Sequence, residues 1–136
     1  MKHSKSSLFL MELIIALFFF SLSSTVCIRL FVNAHSLSRQ TVDMNYAVNY
    51  AQNMAEAFMG CNGDLHTLQA VMDDSLLSED GSTLSLEQNG YCTNLVCSGV
   101  HEPGATIAAD IRVYRADAAD DIIYTLHVDL HIPHVK

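Results

Sequence analysis

The sequence predicts an α+β fold: a long N-terminal helix, with a transmembrane half and a projecting amphipathic half, packed on a small antiparallel β-sheet. Three observations predict it. From Leu13 to Val32 the only charged residue is Arg29, and the run contains neither Gly nor Pro. From Leu37 to Phe58, apolar residues recur in steps of four and three, the spacing of one helical face. Between Ile107 and Ile132, apolar and polar side chains alternate as they do along strands with one buried face.

In chain order, residues 1–7 (MKHSKSS) form a short basic leader with Lys2 and Lys5. Residues 8–32 follow as a transmembrane helix segment, since roughly 20 residues at 1.5 Å each cover the ~30 Å hydrocarbon core. The leader lysines place the N-terminus in the cytoplasm and the C-terminal domain outside, giving a single-pass protein of the cell membrane. Residues 33–60 continue the helix as an amphipathic segment. Leu37, Thr41, Met44, Val48, Ala51, Ala55 and Phe58 form its stripe, while Asn45, Asn49 and Asn53 mark another face. Gly60 and the following CNG end it, so one helix of about 80 Å is expected from Leu8 to Met59. A coiled coil would want charged flanks, which are mostly missing; docking on the protein's own sheet fits better. Small Ala47, Ala51 and Ala55 would permit close approach. For Tyr46 and Tyr50, four apart on this helix, core packing is the default reading; if the stripe faces the sheet, they would face elsewhere and could contact a neighbouring subunit.

Residues 61–136 read as a small α+β extracytoplasmic domain. Asp64 is suited to cap a short helix carrying Leu65, Leu68, Val71 and Met72. SEDGS is a turn, TLSLE a short strand, GYCTNLVC a second strand or tight hairpin, and HEPGA a loop. Ile107, Ala109, Ile111 and Val113 share one face of the next strand. Ile122, Tyr124, Leu126, Val128, Leu130 and Ile132 share a face of the last, with ADAAD as the turn between them and Pro133 as the stop.

Charge and cysteine content narrow the function. Residues 1–32 hold three basic residues and one acidic residue, a net of +2, whereas residues 33–136 hold four basic and fourteen acidic, a net of −10. So acidic a domain repels phosphate backbones, and no direct nucleic-acid binding is expected of it in isolation. Cys27 lies within the apolar run. Of the three outer cysteines, Cys92 and Cys97 could close a small loop across a tight turn, or Cys61 could pair with either, because an outside location permits a disulfide.

Signs of catalysis are missing: no nucleophile triad, phosphate loop or glycosidase-like carboxylate pair stands out, no cofactor is implied, and the chain is expected to be non-catalytic. His127, Asp129 and His131 form H-x-D-x-H on one face of the last strand, with His134 beyond. Alternate strand residues can converge on a metal, but an ordinary polar strand face, with Asp110 or Arg112 opposite, gives the same pattern. Asp73, Asp74, Glu79 and Asp80 read as a solvated turn without the EF-hand spacing of a calcium site.

Glu12 is the residue that composition does not explain. It follows a basic leader and stands near the start of the apolar run, in SSLFLMELIIALFFF. This N-terminus resembles that of type IV pilins and type II secretion pseudopilins, whose leader is cut by prepilin peptidase and whose mature helix carries Glu as its fifth residue. The matching cut lies between Ser7 and Leu8 and makes Glu12 the fifth. Ser7 stands where the family usually has Gly, Leu8 where it has Phe, and Arg29 near the site of a common helix-kinking Pro.

The resemblance implies a non-catalytic, minor subunit of a type IV pilus, pseudopilus or related secretion or DNA-uptake filament, with a methylated mature N-terminus. Its partners would be prepilin peptidase, membrane lipid and other pilin-like subunits joined through the N-terminal helix. Glu12 would neutralise the terminal amine of an adjacent subunit. Alternatively, Glu12 only complements the helix dipole and reaches the headgroups, and the protein is a single-pass anchored domain that never polymerises. A third possibility is secretion after cleavage following Ala34, a small-x-small site.

Overall fold

The computed structural model describes residues 3–99 and 101–133. Met1, Lys2, His134 and Lys136, which carry part of the basic leader and of the C-terminal charge, lie outside the described residues. The elements are helix α1 (His3–Gly60), helix α2 (Leu65–Val71) and five strands. The strands are β1 (Leu76–Leu77), β2 (Thr83–Gln88), β3 (Tyr91–Ser98), β4 (Thr106–Arg115) and β5 (Ala118–His131). They form one sheet in the order β1-β2-β3-β4-β5, every neighbouring pair antiparallel. The α+β class expected from the sequence is therefore the observed one.

The chain divides into two compact units, residues 1–41 and 42–136. Within the first, α1 passes through the whole apolar run without a break. Its hydroxyls do not interrupt it. Ser21, Ser24 and Thr25 donate to the carbonyls of Leu17, Phe20 and Ser21 at 2.9–3.0 Å, so these three hydroxyls are satisfied within their own helix.

In the second unit, the end of α1 supplies Ala47, Ala51, Met54, Ala55 and Phe58 to a core completed by Leu65, Leu68, Leu84, Leu95, Ile107, Ile111 and Val113. Three alanines at steps of four keep the helix surface low where it meets the sheet residues, and Phe58 fills the space beyond them. Burying a side chain the size of Phe58 contributes about 1.5–3 kcal/mol. Docking on the protein's own sheet thus holds for the outer part of the stripe. Leu37 and Met44 depart from it: they are exposed, because cover begins only at Ala47. Asn45, Asn49 and Asn53 are exposed.

α1 ends in a Schellman arrangement. Gly63 N–H donates to the Phe58 carbonyl at 3.0 Å and Asn62 N–H to the Met59 carbonyl at 3.1 Å. Asn62 takes the left-handed conformation at φ 51°, so the reversal falls there rather than at Gly60, the last helical residue. Gly63 is required as well, since its φ is 78° and an added Cβ would stand 3.1 Å from Ile107 Cδ1. Asp64 then caps α2, accepting from His66 N–H at 3.1 Å and from the Thr67 hydroxyl. That hydroxyl is the main cause holding the Asp64 carboxyl below its usual range. Leu65 and Leu68 are buried as expected, whereas Val71 is exposed and Met72 serves as the C-cap.

The two hairpins contrast. Asn89 and Gly90, at φ 51° and 80°, join β2 to β3 in a primed turn whose twist matches the strands, and the register from Gln88↔Tyr91 to Thr83↔Val96 is regular. Ala116 and Asp117 join β4 to β5 without positive φ, a turn that splays its strands. Register shifts follow at once, with Arg115 opposite Ala118, Tyr114 opposite Ile122 and Val113 opposite Tyr124. Ile123 is the extra residue of a bulge, and it reverses the alternation expected at Ile122. Ile122 is therefore exposed, while Ile123 joins Tyr124, Leu126, Val128, Leu130 and Ile132 against the core.

Candidate functional site

The first unit is an exposed apolar helix surface. Large apolar residues from Leu8 to Val32 are each about half exposed or more, and none of the apolar window is buried. The helix is long and apolar enough for a single membrane pass. Ser7 and Leu8 both lie within α1 and are exposed. Glu12 is also exposed, in a shallow depression lined by Leu8, Met11 and Ile15. Arg29, farther along, lies in another with Ile28, Val32 and Asn33. Among the described residues, these side chains have apolar neighbours only along their own helix.

A second cluster sits where α1 meets the sheet. Tyr46 and Tyr50 stack at 6.1 Å between ring centroids, and Tyr91 of β3 closes the group at 5.5 and 6.0 Å from them. These tyrosines therefore pack within the same unit: Tyr50 lies against the core, as the default reading of core packing expects, while Tyr46 stays 45% exposed. Tyr91 OH donates to Asp43 Oδ1 at 2.6 Å, and Arg115 Nη1 approaches Asp43 Oδ2 at 3.4 Å. Asn89 Nδ2 donates to Tyr50 OH at 2.8 Å, adding the β2–β3 turn to the same contact. The carboxylate of Asp43 raises the Tyr91 phenol from 10.0 to about 12 by accepting its proton in a hydrogen bond, with burial and charge adding to it. The arrangement clamps α1 to two strands through groups 39 to 72 residues apart in sequence. The Asn-Gly pair at 89–90, whose composition is a hairpin signal, was not singled out from the sequence, and the tyrosine pairing depends on the sheet's placement.

On the outer sheet face, His127 meets Asp110 Oδ1 through Nδ1 at 2.7 Å and Asp129 Oδ1 through Nε2 at 3.2 Å. Its pKa is raised from 6.5, first by the Asp110 hydrogen bond and then by the Asp129 charge. Of the H-x-D-x-H motif, His127 and Asp129 are thus brought together while Asp110 takes the other ring nitrogen. Among the described residues, no three His, Cys, Asp or Glu side chains converge as metal ligands. Asp74 takes φ 66° in the segment before β1, and Asp80 lies in the turn closed by Gly81 N–H on the Ser78 carbonyl at 2.9 Å.

The cysteines are free thiols. Cys92 and Cys97 do not flank a tight turn, because both lie in continuous strand β3. Five residue steps of strand separate them by about 17 Å and turn them to opposite faces, beyond the ~7 Å reach of a disulfide. Burial is the main cause raising both thiol pKa values. Cys61 packs at the core margin just after α1. An open cleft of about 270 Å³ gathers Asp64, His66, Asp80, Ser82, Cys97 and His101.

Comparison with protein-family models, with curated proteins and with solved structures finds no match. What defines the molecule is therefore its build: an uncovered apolar helix with one early carboxylate, continuing as the core helix of a small antiparallel sheet.

Proposed function

We propose that the chain is a non-catalytic, pilin-like minor subunit, inserted with its N-terminus in the cytoplasm and drawn into a type IV pilus, pseudopilus or related secretion or DNA-uptake filament. Glu12 carries this reading: a lone carboxylate after a basic leader, exposed on a helix whose apolar surface has no cover. In an apolar surrounding an unpaired carboxylate costs several kcal/mol, so a cationic partner supplies both registry and selection of the correct neighbour. A cut between Ser7 and Leu8 would create such a partner, the amine of an adjacent subunit. The continuous helix lets one element serve both ends: its inner part bundles with other subunits, and its outer part belongs to the folded domain. Partners in this reading are lipid, prepilin peptidase and other pilin-like subunits.

Glu12→Val tests it. Membrane insertion should persist while incorporation into filaments is lost; normal incorporation of the variant would refute a pairing role. The second reading, a single-pass anchored acidic domain that does not polymerise, is favoured by Ser7 in the place where the resembled family has Gly.

A further inference from the structure

β5 is an edge of the sheet, with β4 as its only strand neighbour among the described residues. Folded proteins usually guard such an edge with a very short strand, lysine, proline or a bulge. The opposite edge conforms, since β1 is two residues long. β5 is guarded only at its ends, by the bulge at Ile123 and by Pro133. Between them, residues 124–132 contain no Gly, Pro, Lys or Arg.

Ile132 fixes which backbone groups are free. Its N–H donates to the Ala105 carbonyl at 3.0 Å and its carbonyl accepts from Gly104 N–H at 2.8 Å, so both point to the β4 side. Direction alternates along a strand, so Leu130, Val128, Leu126 and Tyr124 also bond inward. The N–H and C=O groups of Thr125, His127, Asp129 and His131 therefore face the open edge. The apolar row is incomplete on the same side. Tyr124, Leu126, Val128, Leu130 and Ile132 are only half-buried, whereas Ile107, Ile111 and Val113 of the adjoining strand are buried. One more strand beside β5 would cover its row as β5 covers that of β4.

We propose that the β5 edge, over residues 124–132, docks an extended segment of another protein, added antiparallel, that alternates apolar with polar residues and carries Lys or Arg opposite Asp129. The site belongs to the folded second unit and does not depend on whether the chain polymerises. Polar residues of the incoming segment would stand opposite Thr125, His127, Asp129 and His131, exchanging about eight backbone hydrogen bonds. Its apolar residues would complete the half-covered row. Charge places the basic residue: Asp110 and Asp129 hold His127 between them at 2.7 and 3.2 Å on the outer face. Arg112 stands opposite Thr125, toward the other end of the segment, and Arg115 is engaged with Asp43 and Asp117.

A second copy fits this edge less well. Two β5 edges paired antiparallel are related by a twofold axis normal to the sheet, which turns a helix lying on that sheet end for end. Copies inserted the same way in one membrane carry α1 in one direction.

The test uses the full-length chain in detergent and the labelled synthetic peptide Thr-Val-Thr-Val-Lys-Val-Thr-Val-Thr. Its valines are N-methylated, which blocks the side facing away from β5 and prevents the peptide from pairing with itself. Fluorescence anisotropy should show saturable binding. Moving the methyl groups to the Thr and Lys nitrogens, which face β5, should abolish it. Asp129→Lys should weaken binding about fivefold and reverse the preference in favour of the peptide with Glu in place of Lys. Thr125→Pro, which removes an outward N–H that no β4 bond uses, should also weaken binding with the fold retained. Absence of saturable binding, indifference to the position of the methyl groups, or an unchanged preference in Asp129→Lys overturns the proposal. A chain that dimerises in detergent, becomes monomeric as Thr125→Pro and does not bind the peptide would assign the edge to a second copy and overturn it equally.

Discussion

Phe31 and Phe58 lie on the same helix in opposite circumstances. Phe31 is 76% exposed, whereas Phe58 is fully buried among residues of α1 and the sheet. The contrast extends to the segments around them: the apolar run up to Val32 has no cover in this chain, while the helix from Ala47 onward supplies its own core. The hydrophobic effect acts on both, but only the second region satisfies it internally. The first leaves its apolar surface uncovered by the described residues of this chain. The second keeps its folding information within the chain.

Substituting the two phenylalanines breaks the comparison most severely. Phe58→Ala should destabilise the second unit by about 3–5 kcal/mol through lost burial and the cavity left behind. Phe31→Ala should leave the same denaturation midpoint unmoved. Equal effects at the two sites, measured by chemical denaturation in detergent, would contradict the division. Next comes Gly63→Val, which forces a β-branched residue into positive φ against Ile107 and should cost about 2–3 kcal/mol. Tyr91→Phe removes the proton donated to Asp43 and should cost about 1 kcal/mol, a charged hydrogen bond reduced by partial exposure.

The smallest effect belongs to His127. Because Asp110 and Asp129 raise its pKa above 6.5, protonated His127 stabilises the folded state. That contribution is fully present below pH 6.5 and is lost as pH rises through the raised value. His127→Gln should flatten this part of the stability–pH curve without unfolding the domain. An unchanged slope would show that the carboxylate contacts do not matter in solution.

The sequence was most readable where one physical rule acts alone. The uninterrupted apolar run specified its helix, and the alternation in β4 specified its buried face, Ile107, Ala109, Ile111 and Val113. It was least readable where a local choice propagates. A turn at Ala116–Asp117 without positive φ splays β4 from β5, so Ile123 rather than Ile122 faces inward. β1 is only two residues long and has meaning only beside β2. The Tyr46–Tyr50–Tyr91 group needs the sheet already in place, since no local spacing relates Tyr50 to Tyr91. Glu12 was conspicuous from the outset because a carboxylate in an apolar helix violates the pattern around it.

The most direct test of the functional account is the mass and N-terminal sequence of the protein recovered from membranes that contain prepilin peptidase. The account predicts a chain beginning at Leu8, with Glu12 as its fifth residue. An intact Met1 in those membranes, or a chain beginning at His35, would contradict it.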